Sequence, residues 1–172
     1  LEPITTISSP LFKELRKYLA SEDLSNPPEA IAKAIQIMEL YSKEGKHIVL
    51  ELGGGTAKVA YAIAENNKDI GVITFDVYDV THSDYGDCAR DFEAGRLIAQ
   101  EYPLENLVVL RADQNIFKFL PSNCIDNLLL VSPVFLQMIL SAPRIKEIIK
   151  PSSGKIIVKP YKHFKHLYGD SD

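Results

Sequence analysis

The chain has 172 residues, a formal net charge of −4, 46% hydrophobic residues and 24% charged residues. That length suits one domain, and the hydrophobic share excludes wholesale disorder. The mild acidic balance weighs against a general nucleic-acid binder.

Reading from the amino end, Ser9 and Pro10 have the form of a helix cap and first turn, and the pattern predicts a helix over 10–19. Residues 21–28 break it, and Pro27 and Pro28 open a second helix. Its apolar positions Ile31, Ala34, Ile35, Met38 and Tyr41 share one face, and Gly45 stops it. The start at Leu1 rather than Met, with no signal-peptide pattern, is read as a trimmed or partial chain.

After Gly45 the pattern changes. Residues 47–52 form a short apolar, β-branched run that ends in three glycines. A helix is predicted over 56–67, with Val59, Ala60, Ile63 and Ala64 on one face, and a second strand over 71–75 ends at Asp76. The polar stretch that follows includes His82–Asp87, read as a solvated loop or a lid, and leads into a helix over 88–101. Strand three is predicted over 107–110, strand four over 125–131, one or two helices between 135 and 149, and strand five over 155–159. The most apolar stretch, 125–140, is interrupted by Asp126, Asn127, Ser132, Pro133 and Gln137, so it does not supply the ~18 apolar residues of a membrane span. The two cysteines, Cys88 and Cys124, make no disulfide framework and fit a reducing compartment, which makes the cytoplasm the expected location.

Alternating strands and helices imply βαβ units and a parallel sheet, and continuously apolar strands imply a sheet covered on both faces. The expected class is α/β: a Rossmann-like, doubly wound, mainly parallel sheet of about five strands with helices on both faces. Residues 1–45 are expected to pack on it as a helical segment, and 46–172 to form the ligand-binding domain.

In such sheets ligands sit beyond the carboxyl ends of the strands, near the switch in strand order. Strand one ends in Glu51-Leu52-Gly53-Gly54-Gly55-Thr56-Ala57. Glycines let a backbone turn sharply and approach a ligand, and the next helix points its amino end into the same space. The dinucleotide pattern G-x-G-x-x-G meets Lys58 at its third position. The pattern acid-x-G-x-G-x-G is matched by Glu51, Gly53 and Gly55, with Ala57 in the last place, and is the better match. Asp76 closes strand two, 21 residues after Gly55, where a carboxylate can accept both hydroxyls of a ribose. Ala112-Asp113 closes strand three, where an acid can accept from an exocyclic amine or cap a helix.

Taken with "NCIDNLLLVSP" at 123–133 and "IIKPSSGKIIV" at 148–158, these motifs resemble the class I S-adenosylmethionine-dependent methyltransferases over about residues 30–160. The resemblance implies that Gly53, Gly54 and Gly55 lie along the methionine part of the cofactor. It implies Asp76 and the adjacent Val77 at the ribose, Ala112 and Asp113 at the adenine, and Glu51 and Ser132 near the methionine amino end. Locally, 106–133 is most similar to the tRNA guanine-N7 methyltransferases: Asn106 to Asp113 follows N-V-x-x-L-x-x-D in outline, and Ser122 and Asp126 stand for S-x-D. The F-P-D-P-W end of that signature is degraded here to Val131-Ser132-Pro133-Val134-Phe135.

The expected function is methyl transfer from S-adenosylmethionine to an unidentified RNA, tRNA or small-molecule acceptor, with no catalytic residue assigned. The alternatives are a non-catalytic binding or assembly module of the same fold and, third, a dinucleotide-dependent oxidoreductase. No metal site is expected, since His163 and His166 lack further ligands. Residues 144–168 carry seven Lys and Arg (Arg144, Lys146, Lys150, Lys155, Lys159, Lys162 and Lys165) against Glu147 alone. That basic segment reads as a solvated face or as a docking surface for nucleic acid or protein. Strand five, with no room after it for a further hairpin, is expected to be an exposed edge open to a partner or to a homodimer.

Overall fold

The computed structural model describes residues 10–54, 56–76, 86–130 and 144–158. Helices α1 (Pro10–Leu19) and α2 (Pro28–Lys43) lead into β1 (His47–Leu52), α3 (Lys58–Asn66), β2 (Ile70–Asp76), α4 (Gly86–Glu101) and β3 (Leu107–Arg111). A 3-10 helix (Gln114–Phe119), β4 (Asn127–Leu130), a single-turn helix α5 (Ile145–Ile148) and β5 (Lys155–Val158) follow. The five strands form one sheet in the order β3-β2-β1-β4-β5, and every pair is parallel. This is the Rossmann strand order as far as it runs, with its reversal between β1 and β4.

The alternation of side chains along each strand divides the core in two. Ile48, Leu50, Leu52, Ile73, Phe75, Val108, Leu110, Leu128 and Leu130 pack with Phe12, Leu15 and Leu19 of α1 and with the apolar stripe of α2. The opposite face sets Val49, Val72 and Leu107 against Ala60 and Ala64 of α3, while Val109 meets Ala57 and Ala99. Helices therefore cover both faces of β1, β2 and β3, as their unbroken apolar runs require.

Some boundaries shift for identifiable reasons. Ile125 makes only an isolated bridge to Ile149, because Asp126 turns its carboxylate onto the Ile48 amide (2.8 Å) and the Lys150 ammonium (3.0 Å). The ladder of β4 starts after it, at Asn127. Helix α4 begins at Gly86, two residues before the predicted start. The 3-10 helix was not predicted, and Asp113 nucleates it by accepting from the Asn115 amide at 2.8 Å.

The outer edge of β3 is partly closed by a side chain. Asn26 accepts from the Arg111 amide and donates to the Arg111 carbonyl, both at 2.7 Å, and it also holds the Leu19 carbonyl. The link between α1 and α2 is thereby pinned along the edge strand.

Candidate functional site at the carboxyl ends of the strands

β1 and β2 run in register, so Glu51 sits beside Thr74 on the α3 side of the sheet. Asp76, two residues on, shares that face at the carboxyl end. The Thr74 hydroxyl donates to Glu51 Oε1 at 2.8 Å inside the protein. The second oxygen, Oε2, is buried and has no hydrogen-bond partner among the described residues. Glu51 as a whole is 1% exposed. Burial, reinforced by the nearby Asp76 charge and opposed by the Thr74 hydrogen bond, pushes its carboxyl up to about 7.

The turn after β1 is built around this pair. Gly53 has φ of 78°, a conformation that side chains disfavour, and its amide donates to the Phe75 carbonyl at 2.9 Å. A Cβ on Gly54 would stand 2.0 Å from Thr74 Oγ1 and 2.6 Å from Glu51 Oε1. Ala57, at the last place of the glycine pattern, also takes left-handed geometry with φ of 60°. For an alanine that conformation costs roughly 1–2 kcal/mol, and burial of its methyl against Val109 and Ala99 offsets part of the cost. Helix α4 closes over the turn so tightly that a Cβ on Gly95 would lie 2.7 Å from the Thr56 carbonyl oxygen.

At the end of β2, Asp76 is buried and stands in register with Arg111 of β3. Arg111 reaches Glu93 of α4 at 2.6 Å, and Glu93 also receives two bonds from Arg96. These guanidiniums hold the Glu93 carboxyl below its ordinary range, with the Arg96 hydrogen bond as the largest cause. A cavity of about 240 Å³ lies outside them, lined also by Ser25, Asn26, Pro27 and Val109.

At the end of β3, Ala112 is buried and Asp113 performs the capping role that was the alternative to ligand contact. Its Oδ1 accepts from the Tyr18 hydroxyl (2.6 Å) and the Asn115 amide (2.8 Å), and its Oδ2 accepts from Asn115 Nδ2 at 3.1 Å. Burial and then the Asp113 hydrogen bond raise the Tyr18 phenol above its ordinary value.

The structure thus brings Glu51, Gly53, Gly54, Asp76, Ala112 and Asp113 to one end of three adjacent strands. Gly55, Val77 and Ser132 lie outside the described residues, as do His82 and the cations beyond Val158. Thr74 and Tyr18 were missed. Thr74 had a signal in the sequence, since T-x-D puts its side chain on the same strand face as Asp76. Tyr18 had none, because its contact with Asp113 spans 95 residues.

Several other polar residues serve the fold. Asn106 donates to the carbonyls of Ala64, Asn67 and Ile70, tying the end of α3 to β2. Asp126 lies at the amino ends of β1 and β4, away from the glycine turn. Burial pushes the Cys124 thiol up to about 12, so it is no thiolate nucleophile. Tyr61 donates to the Tyr102 carbonyl at 3.1 Å, on the outside of α3. Among the described residues no group of three His, Cys, Asp or Glu is placed to hold a metal ion, and no helix is long and apolar enough to cross a membrane.

The fold and the glycine turn define a Rossmann-like α/β protein with a polar site at its switch point. No family profile matches the chain. The 3-O-methylredipecamine 2-O-methyltransferase of Carapichea ipecacuanha is 31% identical over 98 residues, which are 57% of this chain and 27% of that enzyme. Among solved structures, a Methanococcus maripaludis protein assigned as an S-adenosyl-L-methionine-dependent methyltransferase superposes over 90% of this chain and 59% of its own, with TM-score 0.46 and 18% identity. The antibiotic-resistance methyltransferase Kmr superposes over 72% of this chain and 66% of its own, with TM-score 0.47 and 19% identity. The chain therefore spans about a quarter of the curated relative's length and about three-fifths of the first structure's.

Proposed function

We propose that this chain binds S-adenosylmethionine over the carboxyl ends of β1, β2 and β3 and passes its methyl group to a small-molecule or RNA acceptor. One observation carries the reading: a buried carboxylate, Glu51, keeps one oxygen unpaired among the described residues, beside a turn whose Gly54 has no room for a side chain. A buried acceptor left unsatisfied is costly in isolation, and a ligand ammonium would supply its partner.

The remaining residues fit the same ligand. Gly53, Gly54 and Gly55 let backbone approach its amino-acid part, and Ser132 would lie near the same end. Asp76, with Val77 after it, would take the ribose hydroxyls. Ala112 would line the adenine, and Asp113 would accept its amine on Oδ2, which has a single partner among the described residues. The sulfonium methyl is electrophilic as bound, so the chain has to align it with an acceptor rather than activate it. Lys58 at the third position of the dinucleotide pattern disfavours the oxidoreductase reading.

The described part of the basic segment bears on partners. Arg144 holds the Leu120 carbonyl and pairs with Glu147, and Lys150 pairs with Asp126. Lys146 and Lys155 remain exposed, which favours a solvated face over a nucleic-acid groove within 144–158.

Calorimetry with S-adenosylhomocysteine and with NADH tests the proposal. Binding of the first and not the second is expected, with at least about tenfold weaker affinity in Asp76→Ala. No binding at millimolar S-adenosylhomocysteine refutes it. Transfer of radiolabelled methyl into a cell-extract fraction separates an enzyme from a binding module of the same fold.

A further inference from the structure

We propose that Thr74 is a positioning residue for the amino end of the ligand: its hydroxyl fixes Glu51 Oε1, leaving Oε2 as the oxygen that receives a ligand ammonium. The inference rests on the S-adenosylmethionine reading and deepens it.

Strand register, a hydrogen bond and a close backbone approach fix the arrangement. Thr74 and Glu51 are direct register partners on adjacent parallel strands, so their side chains stand together with no freedom to slide. The hydroxyl lies 2.8 Å from Oε1, and both atoms abut the Gly54 backbone so closely that a methyl there would strike each. Oε1 is therefore committed, and Oε2 is a buried atom without a hydrogen-bond partner among the described residues.

The charges around Glu51 make the arrangement pH-sensitive. On β2 the facing acid is Asp76, which raises the cost of ionising Glu51. On β4 the register partner is Leu129, which is apolar. The turn presents Gly53, Gly54 and Thr56, and α3 opens with Lys58, whose side chain is exposed. Farther out, Arg111 of β3 and Glu93 of α4 pair with each other. Among the described residues the Thr74 hydroxyl is the group that favours the ionised carboxylate through a hydrogen bond. Binding an ammonium requires that ionised form, so binding below neutrality releases the Glu51 proton to solvent.

The test measures S-adenosylhomocysteine affinity from pH 6 to 8, and the titration of the Glu51 side-chain carboxyl carbon by NMR with and without ligand, in the wild type, Thr74→Val and Thr74→Ser. In the wild type, affinity should rise with pH through about 7 and level off. Thr74→Val should bind about tenfold more weakly at pH 8, the loss of one hydrogen bond to a charged group. Its Glu51 midpoint should move upward with and without ligand, and Thr74→Ser should restore both. An equal loss at every pH with an unmoved Glu51 midpoint, or a serine variant as impaired as the valine, overturns the positioning role. A wild type that binds no S-adenosylhomocysteine at any pH refutes the functional reading instead, and the ligand-free titration still decides whether Thr74 governs Glu51.

Discussion

The Tyr18 hydroxyl and the Asp113 carboxylate lie 2.6 Å apart and bond in both directions, since the Asp113 amide also donates to the Tyr18 oxygen at 2.9 Å. A helix that precedes the first strand thus holds the residue that ends the third. Tyr18 is further steadied by stacking on Phe119, with ring centroids 5.0 Å apart.

Tyr18→Phe keeps that stacking and removes both hydrogen bonds. It should lower unfolding stability by about 1–3 kcal/mol, the cost of leaving the half-buried partners unsatisfied. Urea denaturation of the two proteins checks this. If Asp113 takes the adenine amine, the variant should also bind S-adenosylhomocysteine several-fold more weakly, because the carboxylate would lose its fixed orientation.

Gly54→Ala forces a methyl to within 2.0 Å of Thr74 Oγ1. The neighbouring atoms belong to a strand side chain and to Glu51, so the turn itself must move. Overpacking of this kind costs about 1–3 kcal/mol and should abolish measurable S-adenosylhomocysteine binding. The double variant Gly54→Ala, Thr74→Ala should recover part of the stability, because the nearest clash is gone and the two sites couple through one contact. Equal losses in the single and double variants would contradict the close packing.

How far the sequence foretold this site depended on whether a feature is local. β1 and β2 were readable because a sheet buried on both faces needs short apolar runs. The positions of Glu51, Asp76 and Asp113 at one end of the sheet were readable because each stands where an apolar run stops. Thr74 was passed over, since threonine inside a strand first reads as a β-former. Its partnership with Glu51 depends on the parallel register, which no local pattern states. Asn26 is a similar case: a polar residue in a linker became the closing partner of an edge strand 85 residues away. The start of β4 was misplaced because Asp126 answers to β1 and Lys150 rather than to its own apolar neighbours.

Lys150 and Asp126 supply a control at the far end of the sheet. Asp126 is buried and takes both Lys150 Nζ contacts at 3.0 Å together with the Ile48 amide. Lys150→Met would remove the ammonium from a buried carboxylate, leaving the His47 ring at 3.6 Å as its other basic neighbour, at a cost of about 3–5 kcal/mol. Because this pair joins β1 and β4 at their amino ends, S-adenosylhomocysteine affinity should be unchanged under conditions where the variant is folded. Paired urea titration and calorimetry test both halves of that statement.

Glu51 should leave its own mark on stability, without any ligand. Its folded carboxyl sits near 7 against an ordinary value of 4.5, so between those values the folded chain holds a proton that the unfolded chain has lost. The slope of unfolding free energy with pH is then negative across that window, and the stability contributed by protonated Glu51 is lost as pH rises through it. The shift corresponds to about 3 kcal/mol, fully lost above pH 7 or so. Glu51→Gln is neutral at every pH and should remove this component. Urea midpoints of the wild type should therefore fall relative to the variant between pH 5 and pH 8. Parallel midpoints over that range would mean that Glu51 ionises at an ordinary pH and that its burial carries no such cost.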